Sequence, residues 1–262
     1  SQLEARCDDP ARIGRFKVLC AEVAAQAVDR HPKQQIGVLC DHRLGQDALF
    51  AMAELPLWIA SPIELPSSRP LRFEGGPSLA TTLKDWPKQS VVKCLCFTHP
   101  DDEPDLWDEQ SARLRELFAV TRDLGLELLL EFIPPADMDR TATTIARSMA
   151  MTYELGIFPD WWKLPAPTSD HWDAEWVAWS RVIDENDPHC RGVLLLGLAA
   201  PQNEVKASLK RASEQPLCKG FAVGRTIFGA AAEGWFSGAI TDDEAKDMMA
   251  TSFDDLIAAW RS

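Results

Sequence analysis

The sequence predicts an α/β fold, a (β/α)8 barrel of the TIM type, in a single domain over residues 1–262. Three observations carry this. Short, almost continuously apolar runs recur along the chain, as strands buried on both faces do. Amphipathic helical patterns separate them, and strand–helix alternation is the mark of a parallel sheet. No Gly-x-Gly-x-x-Gly turn occurs and the alternation continues to the end, which favours a barrel over a doubly wound sheet.

The elements follow in order. A helix is expected over Ala11–Arg30, ahead of any strand. The strands are then "IGVLCD" (36–41), "LWIAS" (57–61), "VVKCLCF" (91–97), "LELLLEFI" (126–133), "DWWKL" (160–164), "GVLLLGL" (192–198) and "GFAVG" (220–224). Helical patterns fill 107–125 and 140–156, each ending on a glycine suited to a left-handed cap. Further helices are expected over 172–187, 203–215 and Asp242–Trp260. The Pro/Gly/Ser-rich stretch 61–78 reads as a loop rather than a linker. Seven strands are one short of a barrel, and the missing first strand is expected before Ser1.

Composition narrows the function. The formal net charge is −13, and no basic footprint for nucleic acid is visible. No apolar run approaches the length of a membrane span, and the first residues carry no apolar signal segment. A soluble, cytoplasmic protein is therefore expected, with neither nucleic acid nor membrane as partner. Seven cysteines without a CxxC pair read as reduced, buried thiols.

Barrel chemistry sits at the C-terminal ends of strands. The polar residues there are Asp41, His42 and Arg43; Lys93; His99, Asp101 and Asp102; Glu131; Lys163; and Gly224 with Arg225. Charges at such places are costly unless they meet one another. A lysine desolvated beside a second cation has a lowered pKa, and its neutral amine can attack a carbonyl. Lys163, walled by Trp161 and Trp162, fits that role. Lys93 would be the second cation, with Glu131 and Asp41 moving protons. The competing reading is a structural Lys–Glu pair. Metal binding by His42, His99 and Asp101 is a further alternative, although "THPDD" (98–102) also reads as a turn. "GFAVGRTIFG" (220–229) and "GLAAP" (197–201) could cradle a phosphate through Gly197, Gly224 and Arg225. Trp172, Trp176 and Trp179 share one helix face and are expected to pack inward or against a subunit.

Taken together, "CDHRLGQDAL", "RPLRFEGG", "VVKCLCFTHPDD", "ELLLEFIPP", "GIFPDWWKLP", "CRGVLLLGLAAP" and "CKGFAVGRTIFG" resemble a known family. It is the C-terminal aldolase-like domain of the bifunctional 5-dehydro-2-deoxygluconokinase/5-dehydro-2-deoxyphosphogluconate aldolase proteins of inositol catabolism. The chain is similar, more distantly, to class I tagatose-bisphosphate aldolases. The resemblance runs nearly end to end. It implies a TIM barrel whose lyase activity needs no cofactor and acts on a sugar phosphate. It places the Schiff base on Lys163, the second lysine at Lys93 and the acidic residues at Glu131 and Asp41. It puts the phosphate at Gly197, Gly224 and Arg225; Arg43 would take the substrate carboxylate. It also implies a sugar kinase domain as fused or separate partner, and a homo-oligomer is expected. Pro165 stands where class I sugar-phosphate aldolases often carry Glu, and Leu44 where relatives often carry an aromatic residue. A metal-dependent aldolase and a silent sugar-phosphate-binding barrel are the alternatives to Schiff-base chemistry.

Overall fold

The computed structural model describes residues 3–76, 78–197 and 200–262. The fold is α/β, of the TIM-barrel type, with seven parallel strands that follow chain order and alternate with helices. Ser1, Gln2, Pro77, Leu198 and Ala199 lie outside the described residues. Part of "GLAAP", expected to cradle a phosphate, therefore falls there, as does the end of the sixth predicted strand. The strands are β1 (Gly37–Leu39), β2 (Trp58–Pro62), β3 (Val91–Phe97), β4 (Glu127–Ile133), β5 (Trp161–Pro165), β6 (Gly192–Leu196) and β7 (Cys218–Ala222). The helices are α1 (Pro10–Arg30), α2 (Gln46–Met52), α3 (Leu79–Leu83), α4 (Pro104–Leu124), α5 (Thr144–Glu154), α6 (Trp172–Asn186), α7 (Gln202–Ala212), α8 (Arg225–Phe236) and α9 (Asp242–Arg261). The chain groups into two compact units.

The first unit comprises Ser1–Pro62, Gly197–Glu214 and Gly220–Ser262. Asp9 caps α1 by accepting from the backbone N–H of Ala11 at 2.9 Å, and Pro10 opens the helix where a missing N–H costs nothing. The α1 stripe of Ile13, Phe16, Leu19 and Val23 packs on Ala231 and Ala232 of α8 and on Ala245 and Met249 of α9. Thr241 and Glu244 form a reciprocal capping box at the start of α9. β1 pairs in parallel with β2. It is only three residues long, because Asp41 turns the chain instead of extending the strand expected over 36–41.

The second unit comprises Ile63–Leu196 and Gln215–Lys219. Strands β3, β4, β5 and β6 pair in parallel, each with the next. Leu128, Leu129 and Leu130 of β4 are fully buried, so both faces of this strand are covered. Trp162 donates from its indole N–H to the Tyr153 hydroxyl at 2.8 Å and sits edge-on to Phe132. Trp172, Trp176 and Trp179 are buried in edge-to-face and tilted contacts, one face of α6 packing inward as its spacing predicts. Gly125 caps α4 in the left-handed region at φ 67°, where a side chain would be strained. The stretch expected as plain loop carries a bridge between Glu64 and Phe73, and the Ile63 N–H donates to the Lys93 carbonyl at 3.0 Å.

Candidate active site

Four charged side chains of the second unit meet at the level of β3, β4 and β5. Glu131 and Lys163 are direct register partners across β4 and β5. Their side chains fall on one face, and the Lys163 Nζ donates to Glu131 Oε1 at 2.7 Å. Lys93 is partnered in register with Leu129, one pleat repeat before Glu131 on the same face. A lysine stem spans that offset, and the Lys93 Nζ reaches Glu131 Oε2 at 2.8 Å. On its other side Lys93 is ion-paired to Glu64 Oε1. The result is a chain of alternating charge, Glu64–Lys93–Glu131–Lys163, none of whose members is more than 8% exposed.

The two lysines differ in kind. Burial pushes the Lys163 amine below the ordinary lysine range, and the positive charge of Lys93 pushes the same way, against the opposing pull of Glu131. Burial acts on Lys93 too, but two carboxylates, Glu64 and Glu131, outweigh it and raise its pKa. Burial would raise Glu131; the two lysines together hold it below the usual carboxylate range. Glu64 has a single lysine against the same burial, and its carboxyl is raised. The arrangement therefore offers a lysine with a raised pKa, a carboxylate with a lowered one, an amine with a lowered one and a carboxyl with a raised one.

The tryptophan wall expected around Lys163 takes a different form. Side chains alternate along a strand, so Trp162 packs on the other face, against Tyr153 and Phe132. The Trp161 indole donates to Glu127 at 2.9 Å. What desolvates Lys163 is the burial of β5 between covered strands, and what tunes it is the neighbouring charge.

Most of the other charged candidates have partners of their own. Asp41, in the first unit, is ion-paired to Lys17 and accepts from the Leu44 N–H at 2.8 Å, pinning the turn after β1. Arg43 is bidentate to Glu4 at 2.7 Å. Gly197 follows β6, Gly224 precedes α8, and Arg225 is the exposed first residue of that helix. In the second unit, His99 bonds the Asp139 carbonyl at 2.9 Å and accepts from the Asp101 N–H at 3.1 Å, so it braces a turn. Asp101 is paired with Arg147 at 2.7 Å, and Asp102 is ion-paired to Arg69. His42 lies in the first unit. Among the described residues no three His, Cys, Asp or Glu side chains group as a metal site requires.

Glu64 is the member that reading the sequence missed. It lies inside the Pro-rich stretch taken as loop, yet "SPIEL" puts a lone acid just past a strand between two apolar residues. That criterion singled out Lys93 and Asp41, and applied here it finds Glu64.

A parallel α/β fold with a buried lysine–glutamate chain at strand level defines the class. Within it, the chain belongs to the bacterial family described as "Uncharacterized protein conserved in bacteria (DUF2090)", which matches residues 2–262. It is similar in fold to the crystal structure of Cgl0159 from Corynebacterium glutamicum (Brevibacterium flavum). The TM-score is 0.57 and the identity 17%, over 91% of this chain and 76% of that one. No curated protein matches the chain.

Proposed function

We propose that the chain is a class I aldolase acting on a ketose phosphate. The observation that carries the reading is Lys163: a buried amine, pushed toward neutrality by desolvation and by Lys93, and held by Glu131 at 2.7 Å. Buried lysines of this kind are nucleophiles toward carbonyls. Lys163 adds to the ketone and loses water to give an iminium ion. The iminium draws electrons from the bond between the carbons α and β to it. A carboxylate takes the proton of the β-hydroxyl, and an aldehyde leaves. Lys93 stays an ammonium through the cycle and orients substrate oxygens. Arg225 and Gly224, at the start of α8, offer an exposed cation and helix N–H groups, which suit a phosphate.

The sequence resemblance sharpens the substrate to 2-deoxy-5-keto-D-gluconate 6-phosphate, cleaved to dihydroxyacetone phosphate and malonate semialdehyde. The test is borohydride trapping. The protein is incubated with dihydroxyacetone phosphate, reduced and digested, and the adduct is located by mass spectrometry. The expected result is a single adduct on Lys163, absent in Lys163→Met. Ligand binding with no adduct would return the four-residue chain to a structural brace and end the aldolase reading.

A further inference from the structure

The aldolase reading leaves open which carboxylate moves the proton, and the cluster's bonding answers. Both oxygens of Glu131 are occupied, Oε1 by Lys163 at 2.7 Å and Oε2 by Lys93 at 2.8 Å. A carboxylate held by two lysines is a poor proton acceptor. Glu64 Oε1 accepts from the Lys93 Nζ. Its Oε2 is buried and has no hydrogen-bond partner among the described residues. A buried carboxylate oxygen left without a donor is costly, so such an atom calls for an explanation. A proton or a substrate hydroxyl placed there supplies one.

We propose that Glu64, through Oε2, is the acid–base residue of this site. The inference rests on the aldolase reading. In cleavage, the β-hydroxyl proton passes to Oε2, and the O–H electron pair becomes the π bond of the departing aldehyde. The carbon–carbon pair becomes the enamine π bond, and the iminium nitrogen takes back its own π pair. Glu64 then returns the proton to the enamine carbon, and water hydrolyses the iminium to free the ketone and Lys163. The upward push that burial exerts on the Glu64 carboxyl agrees with this, since a raised pKa makes its carboxylate the stronger proton acceptor.

Run backward, that return removes a hydrogen from the carbon α to the lysine imine, so dihydroxyacetone phosphate alone is a sufficient probe. Wild type and Glu64→Gln are compared in D2O by two readouts: the borohydride-trapped adduct on Lys163, and deuterium entering the α carbon followed by NMR. Gln keeps an oxygen for Lys93 but cannot take a proton. The expected result is an adduct at wild-type level and exchange slowed about 10²–10⁴-fold, the usual range for losing a general base. Glu64→Asp should recover part of the rate. Exchange within about threefold of wild type in Glu64→Gln would overturn the assignment. So would loss of adduct and exchange together in a folded variant, which would make Glu64 a positioning residue acting through Lys93. A wild-type adduct that exchanges no hydrogen overturns it as well. Absence of the adduct in wild type is a separate result: it removes the aldolase reading, and this assignment with it.

Discussion

Among the described residues, a lysine meets a carboxylate at least partly buried at two places, and they are built differently. At the turn after β1, one lysine meets one acid: Lys17 pairs with Asp41, and the other Asp41 oxygen takes the Leu44 N–H. Both acceptor oxygens are used on structure. Along β3–β5, two lysines compete for Glu131, and one Glu64 oxygen has no hydrogen-bond partner among the described residues. A balanced pair fixes each proton in place. An unevenly shared set leaves one amine short of compensation and one carboxyl oxygen open, and chemistry needs both. A buried ion pair alone therefore says little about function; the distribution of partners says more.

The comparison is broken most strongly at its centre. Glu131→Gln takes from Lys163 the carboxylate it is bonded to, and breaking a buried pair costs about 3–5 kcal/mol. The loss should sit at the lower end, about 3 kcal/mol, because the amine can shed its proton. The pH dependence follows. Removing Glu131 takes away the attraction that opposed burial, so the native pKa of Lys163 falls further below the ordinary 10.5. Between that value and 10.5 the unfolded chain binds a proton that the native state does not. The variant's stability should therefore rise with pH across that window. Urea unfolding at pH 6 and pH 9 checks it; a larger deficit at pH 9 would contradict the account.

Asp41→Asn tests the balanced pair. Losing a hydrogen bond to a charged partner costs about 1.5–3 kcal/mol, with Lys17 left partly buried. The Asp41 carboxyl is subject to burial, which would raise it, but the Lys17 and Leu44 bonds prevail and hold it below its ordinary value. Its contribution is therefore complete above the ordinary carboxylate range and is lost as pH falls through the depressed native value. Thermal melts of both proteins should differ at neutral pH and converge in acid. The trapped adduct on Lys163 should stay within about twofold of wild type, as expected for a turn-holding residue. A large loss of adduct would give Asp41 the proton-moving role that its position after a strand first suggests.

How much of this is legible without coordinates depends on the kind of signal. β3 matches its predicted bounds, 91–97, because "VVKCLCF" is apolar throughout and closed by "THP". Lys93, Glu131 and Lys163 are legible as a set because each is a charge inside an apolar strand, where solitary placement is costly. The short helices α2 and α3 are not, since seven and five residues give too few turns for a periodic stripe. Glu64 is hidden by its prolines. The Lys17–Asp41 pair is illegible for another reason: it joins a helix to a turn 24 residues away, and no local pattern encodes that distance.

Arg43 gives the smallest expected effect and sharpens the comparison at its edge. Its guanidinium is bidentate to Glu4, but the two side chains are 48% and 37% exposed. Solvent screens such a pair, and exposed pairs contribute about 0.2–1 kcal/mol. Arg43→Ala should therefore lower stability by less than about 1 kcal/mol, read from urea unfolding, and raised salt should shrink the difference further. The kinetic readout separates the two roles open to this residue. An arginine spent on Glu4 leaves KM for a carboxylated substrate such as 2-deoxy-5-keto-D-gluconate 6-phosphate unchanged. An arginine that exchanges Glu4 for the substrate carboxylate raises KM by tenfold or more when removed, with kcat little altered, because that contact is equal in ground and transition states. The geometry, with both Glu4 oxygens accepting from the Arg43 Nη2, favours the first outcome.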